Sequence, residues 1–289
     1  MFDFFASIFG YVLNFIYELV NSYGIAIILF TVLLKLIMLP LSIKQQKTME
    51  KSAKIQDKAR EIQAKYANDQ VRQSQELMDL YKKENMSPFS GCLSSIVQMI
   101  VVLSIFFLIS RPLTFMKHIE VDKINGYTEE IKTTMGDEAL RYPEISIIKG
   151  LSEKYEDVRI NMNFFGLDLS EVPSQDFKNW KVYIIPVLYV ITSIISTRIT
   201  TNMAKKDKDK REKEKDKSVN MDDVDNRDLD AMEEMNKQMA LMMPIMAVSI
   251  AIIAPLGLAL YWLVSNILMI LERIIINKWF KDENVEESK

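Results

Sequence analysis

The chain has 289 residues, 49% hydrophobic and 26% charged, with a formal net charge of −3. Its one cysteine, Cys92, excludes an intrachain disulfide. Apolar residues crowd into 1–43, 89–110, 182–200 and 239–277, and charges into 44–84, 117–181 and 204–237; this segregation excludes an ordinary soluble domain and predicts membrane-spanning helices joined by polar loops.

Residues 1–24 hold no Lys or Arg. A basic start and a small-residue cleavage site are both missing, so a secretory signal peptide is not expected, and no lipid-anchor cysteine comes after the start. Asp3, Ser7, Gly10, Asn14, Glu18 and Asn21 recur every three or four residues. They form one polar edge on an apolar helix, which suits the membrane interface; a further span is the alternative. Gly24 ends this segment.

Residues 25–43 are one apolar run with a single charge, Lys35. About 20 residues cross a bilayer, and a lysine at the centre costs roughly 2.5–3.5 kcal/mol on insertion scales. Either Lys35 snorkels to the headgroups or it faces a polar cavity inside the protein, the default for ionisable groups at this depth. Pro40 stands near the inner end, where a kink is tolerated.

Residues 44–88 are predicted to form a helical hairpin outside the membrane. The stretch to Glu84 is rich in Lys and Arg and has no Pro or Gly. Ile55, Ala59, Ile62 and Tyr66 have the spacing of a coiled-coil seam, and Val71, Met78 and Tyr81 are read as a second apolar face. The excess of cations marks this side as cytoplasmic. The second span is 89–110, where Gln98 is either glue between helices or the wall of a cavity.

Residues 111–181 form a long segment on the outer side. Glu144 to Val158 reads as weakly helical, and Phe164 to Leu169 as an interfacial anchor. His118 reads as an ordinary surface residue. Neither metal-ligand nor catalytic spacing is found, so no metal, cofactor or enzyme activity is expected. Trp180 marks the interface before the third span, 182–200, whose Thr192, Ser193, Ser196 and Thr197 share a polar side. The loop 201–238 is highly charged and reads as solvated helix or disorder. Residues 239–254 and 256–277 read as two short spans broken at Pro255–Leu256–Gly257, with Trp262, Ser265 and Asn266 on the returning helix. The tail 278–289 lies inside. The expected fold is an all-α integral membrane protein: five transmembrane helices, an N-terminal interfacial helix and a cytoplasmic helical hairpin. The amino terminus is outside and the carboxyl terminus inside.

The stretches TVLLKLIMLPLSIKQQ, SPFSGCLSSIVQM, FFGLDLSEVP, WKVYIIPVLYVITS and MMPIM…APLGLALYWLVSNIL, in this order, resemble the YidC/Oxa1/Alb3 membrane protein insertases. With no large domain before the first span, the chain looks like the Gram-positive bacterial type. The resemblance implies a hydrophilic groove in the bacterial cell membrane, lined by Lys35, Gln98, Thr192, Ser196, Trp262 and Asn266. It implies first contact with substrate at the hairpin, at Ile55, Ile62, Tyr66 and Met78. The partners it implies are nascent membrane proteins, the Sec translocon, the ribosome and the lipid bilayer, with no specific nucleic acid. Two departures stand out. Lys35 holds the position of the family's usual arginine, so the planar fork is lost, and Ile100 stands where many relatives have proline. The rival readings are a small transporter or channel with Lys35 as ligand, and a membrane-anchored assembly factor acting through the hairpin. Duplicated halves with matching broken helices, which a transporter would show, are not seen. No Gly-rich nucleotide loop is found either.

Overall fold

A computed structural model of the protein describes residues 2–67, 69–84, 90–176, 178–214 and 249–286. The described chain is predominantly helical. Its longer helices are α1 (Phe2–Val20), α2 (Tyr23–Lys65), α3 (Gln70–Lys83), α4 (Ser90–Ser110), α5 (Pro112–Phe115), α6 (Val121–Met135), α7 (Pro143–Leu151), α8 (Ile184–Glu214) and α9 (Leu256–Glu286). By length and composition, four stretches can cross a membrane: Phe2–Val20, Tyr23–Thr48, Trp180–Asn202 and Leu256–Ile276. Ile96–Ser110 is apolar but shorter. The span expected at 239–254 falls mostly outside the described residues, of which 249–253 are helical.

The chain divides into two compact units. One comprises Met1–Ile37, Met99–Thr197 and Pro244–Lys289, and the other Met38–Gln98 and Arg198–Met243.

In the first unit, α1 has three faces. Ala6, Gly10, Leu13 and Tyr17 are buried, whereas Phe4, Ile8, Tyr11, Phe15 and Leu19 are exposed. The polar edge read from the sequence lies between them, with Asn14 donating to Glu18. The partners of α1 are the first turns of α2, where Phe9 meets Phe30, the end of α4 and the chain beyond it. Phe2 meets Phe107, Tyr11 stacks on His118, and the Tyr17 hydroxyl accepts the Asn161 N–H. Gly10 is required there, because a Cβ would lie 1.8 Å from the Phe115 carbonyl oxygen.

Residues 111–181, read from the sequence as a long segment with a weakly helical stretch at Glu144 to Val158, form a packed layer in which 143–151 and 156–158 are helical. Ile124, Tyr127 and Ile131 of α6 are buried, as are Ile145, Ile147, Ile148 and Leu151 of α7. Both helices carry the helical spacing that announces this. The stretch 164–169 is a tight two-strand turn, pairing Asn163 with Asp168 and Phe164 with Leu167. Phe165 and Gly166 have φ of 51° and 80°, the left-handed pair of a two-residue hairpin. The Phe165 ring projects at 88% exposure, which fits the anchor reading. Phe164 turns inward, onto Gly24, where a Cβ would come within 2.4 Å of its ring.

This layer holds the first turns of α2 and α9. The Tyr23 N–H donates to the Asn161 carbonyl, the Leu256 N–H to Glu171 and the Gly257 N–H to Leu169. The layer is itself pinned by Glu144, which the sequence reading missed. Pro112 at the start of α5 has no N–H to offer. The next two N–H groups, of Leu113 and Thr114, donate to Glu144 Oε2 at 2.7 and 2.9 Å, and the Thr114 hydroxyl donates to Oε1. Burial pushes the Glu144 carboxyl above the usual carboxylate range, while the bonds from Thr114 and Leu113 pull it down. The folded state therefore holds this proton more tightly than the unfolded chain. The stability this site contributes falls as pH rises past the ordinary value of about 4.3. Glu144→Gln keeps an acceptor for both N–H groups and removes that pH dependence. Glu144→Ala strands both donors, at roughly 1–3 kcal/mol each. Thermal unfolding in detergent across pH should show Ala clearly below Gln.

In the second unit, α3 runs back along the last turns of α2. Lys58 pairs with Glu84 at 2.6 Å, Lys51 donates to the Glu84 carbonyl and Gln73 donates to the Gln63 carbonyl. Ile55 and Ala59 are buried, as the seam requires, and Ile62 and Tyr66 are half-buried. The second apolar face is corrected. Val71 and Met78 are 71% and 59% exposed; of the three residues read as that face only Tyr81 is half-buried, beside Gln73, Leu77 and Leu80. The apolar row Leu77, Leu80 and Tyr81 takes the inward face of α3, and the polar ties of Gln73 and Glu84 lie beside it.

Candidate functional site: a charge pair inside the spans

The helix α2 sorts its residues by face. Ile25, Leu29, Leu33, Leu36 and Ile37 are exposed, as lipid-facing residues are. Ile27 and Thr31 are 0% and 1% exposed, and Lys35 continues that row at the next i+4 position. Its side chain is 24% exposed and its Nζ lies 3.4 Å from Glu272 Oε2 of α9. Glu272 is 13% exposed. Its other oxygen, Oε1, is buried with no hydrogen-bond donor among the described residues. Nothing in the local sequence pointed to Glu272; it lies 237 residues from Lys35.

Helices α2 and α9 run in the same direction. The Tyr23 ring and the Ile27 side chain lie against Gly257 at their first turns. Lys35 and Glu272 then meet further along, some 18 Å from Tyr23 at about 1.5 Å per residue. The first turns are dry: Tyr23, Ala26, Ile27, Phe30, Leu256, Leu258, Ala259 and Leu260 are all buried. The charge pair thus sits beyond a sealed end.

Helix α8 runs parallel to α9 as well. Tyr189 meets Trp262 with ring centroids 6.0 Å apart, and one turn on the Asn266 amide donates to the Thr192 hydroxyl at 3.4 Å. Asn266 and Ser196 are buried, and Trp262 and Thr192 are half-buried. Thr192 and Thr197 also donate to carbonyls of their own helix, the usual way a hydroxyl is satisfied inside an apolar helix.

Of the residues picked from the sequence, the structure thus joins Lys35 to Glu272, Thr192 to Asn266, and Trp262 to Tyr189. Gln98 is exposed and belongs to the second unit. Two concavities, of about 360 and 240 Å³, lie in the 135–182 layer and at the start of α9; neither is lined by the residues picked for the groove. Among the described residues no group of three or more His, Cys, Asp or Glu could hold a metal ion.

Parallel apolar helices with an ion pair inside the spans define a multi-pass α-helical membrane protein. The chain belongs to the family described as 60Kd inner membrane protein, whose profile it matches over residues 15–284. It is similar to proteins named membrane protein insertase YidC. That of Geobacter metallireducens is 25% identical over 92% of this chain and 35% of the relative. That of Rickettsia prowazekii is 28% identical over 93% and 38%. That of Wigglesworthia glossinidia brevipalpis is 42% identical over a shorter stretch, 34% of this chain and 18% of the relative. The chain spans little more than a third of the length of the first two, at 35% and 38%.

Proposed function

We propose that this chain is a membrane protein insertase of the bacterial cell membrane, with its amino terminus outside and its carboxyl terminus in the cytoplasm. The observation that carries the reading is the Lys35 ammonium, paired with Glu272 of α9 beyond the buried first turns of both helices. A nascent segment with an acidic tail must move that tail through apolar surroundings. A cation part-way in lowers the barrier, and burying the segment's apolar residues in lipid drives the step without a nucleotide. Ser196, Trp262 and the Thr192–Asn266 pair are proposed as the wall of this path.

Five crossings are part of the proposal. The same direction of α8 and α9 supports them, since two such spans need an odd number of crossings between them. Helix α1 is proposed to lie along the outer surface rather than to cross. Its partners at Phe107, Phe115 and Asn161 support this, because along its whole length they stay near one end of the bundle. The end of α2 with α3 is proposed as a cytoplasmic hairpin that meets substrate first. Met78, exposed on α3, is open to such contact, whereas Ile62 and Tyr66 are half-buried and Ile55 is buried in the seam. Ribosome and Sec translocon are the partners proposed for the cytoplasmic segments.

Depletion and rescue tests this reading. In a bacterium stripped of its own insertase, this chain should restore insertion of single-span proteins. Cross-links from a stalled substrate should fall on α2, α8 and α9. A chain that folds in the membrane yet restores no insertion rejects the proposal, and so do cross-links confined to α4.

A further inference from the structure

Lys35 and Glu272 are not an ordinary buried ion pair. An ammonium and a carboxylate that bond well approach to about 2.7–2.9 Å, and these stand at 3.4 Å. The second carboxylate oxygen is buried and accepts nothing from the described residues, although an ionised carboxylate has room for several donors. The pair neutralises its charges without satisfying its hydrogen bonds. Any group that engages Lys35 also acts on Glu272, because separating a buried pair leaves the abandoned charge uncompensated.

We propose that Glu272 is the resident counter-ion of Lys35 and sets which polypeptide tails the site accepts: tails that bring a carboxylate for Lys35 together with a cation for Glu272, over tails that bring carboxylates alone. The proposal rests on the reading of Lys35 as part of the substrate's path. A tail with carboxylates only must displace Glu272 from Lys35 and leave it, largely buried, with the charge of Arg273 on its own helix as compensation. A tail with an acid and a cation one turn apart exchanges partners with the pair, one ion pair becoming two. The side chains are 24% and 13% exposed, so the pair is not fully enclosed.

The test uses the full chain in lipid vesicles and two single-span probes translated in vitro. They share one apolar segment and differ in the tail, which carries either two aspartates or an aspartate and a lysine four residues apart. The unaltered protein should insert the mixed tail better. Glu272→Gln, of the same shape, should raise insertion of the two-aspartate probe about threefold, the size expected of a partly screened charge interaction, and erase the preference. The exchanged variant Lys35→Glu/Glu272→Lys keeps a pair, so it should fold and, read with a third probe in which the aspartate and the lysine change places, prefer the opposite order of charges in the tail. A preference unchanged in Glu272→Gln overturns the proposal, as does a charge-order preference unchanged in the exchanged variant. Glu272→Gln losing both probes alike means that Glu272 only supports the fold, and overturns it too. Lys35→Ala separates this from the broader reading. If that variant inserts both probes normally, the insertase path itself is misplaced; if it inserts neither while Glu272→Gln changes nothing, only the counter-ion role fails.

Discussion

Lys35→Ala should reduce insertion of a single-span substrate with an acidic tail by about tenfold or more, and Lys35→Glu further, while Lys35→Arg keeps most of the activity. An aspartate at the centre of a span costs roughly 2.5–3.5 kcal/mol on insertion scales. A cation that offsets half of that changes the rate by about tenfold. Arginine keeps the charge, and its planar fork fits a carboxylate better than an ammonium does, so it should hold Glu272 more tightly. Lys35→Ala also has a structural consequence. It leaves Glu272 unpaired at 13% exposure, and breaking a fully buried pair costs about 3–5 kcal/mol, less where water reaches the charges. The double variant Lys35→Ala/Glu272→Gln separates the two effects, because it removes the stranded charge along with the cation. Insertion assayed in reconstituted vesicles should stay low in the double variant. Recovery to normal levels would reduce Lys35 to a fold-supporting residue.

Gly10→Ala should be the most damaging single methyl in the described chain outside the charge pair. Its Cβ would lie 1.8 Å from the Phe115 carbonyl oxygen, 2.5 Å from the carbonyl carbon and 3.2 Å from the Met116 nitrogen. All three are backbone atoms, so no side chain can swing aside. The segment around Phe115 is held in turn by Glu144 through the Leu113 and Thr114 N–H groups. Overpacking of this kind costs about 1–3 kcal/mol, occasionally more. Gly126→Ala is the internal control. It lies within α6 with nothing inside 4 Å of the added methyl, and it should stabilise by about 0.5–1 kcal/mol. Thermal unfolding in detergent should move in opposite directions for the two variants. Equal midpoints would mean that α1 does not rest on α5.

The helices were legible in the sequence wherever one property ran unbroken. The apolar runs around Lys35, after Trp180 and after Pro255 each became a long helix. The seam positions Ile55 and Ala59 are buried as their spacing implies. The reading failed where two faces of one helix competed. Val71 and Met78 have helical spacing and are exposed, because the competing apolar row Leu77, Leu80 and Tyr81 takes the inward face of α3. In the 111–181 segment the helical stretch after Glu144 was legible, but charged residues hid Ile124, Tyr127 and Ile131. Those three are spaced for a helix, but the surrounding charge favoured a loop.

Hydropathy and the period of the helix are enough to show that this chain enters the membrane, where its apolar helices run, and that one of them carries a cation at a costly depth. Those are local properties, readable from neighbours along the chain. What the cation faces is not local, and it came from the packed helices alone. Ile27, Thr31 and Lys35 share a row in any helix, but the packing of α9 against that row places Glu272 beside Lys35. Packing likewise sets Glu144 to hold the end of α5 and lets Gly10 admit Phe115. Each joins residues far apart in the chain, and periodicity shows which residues share a face without showing what that face will meet.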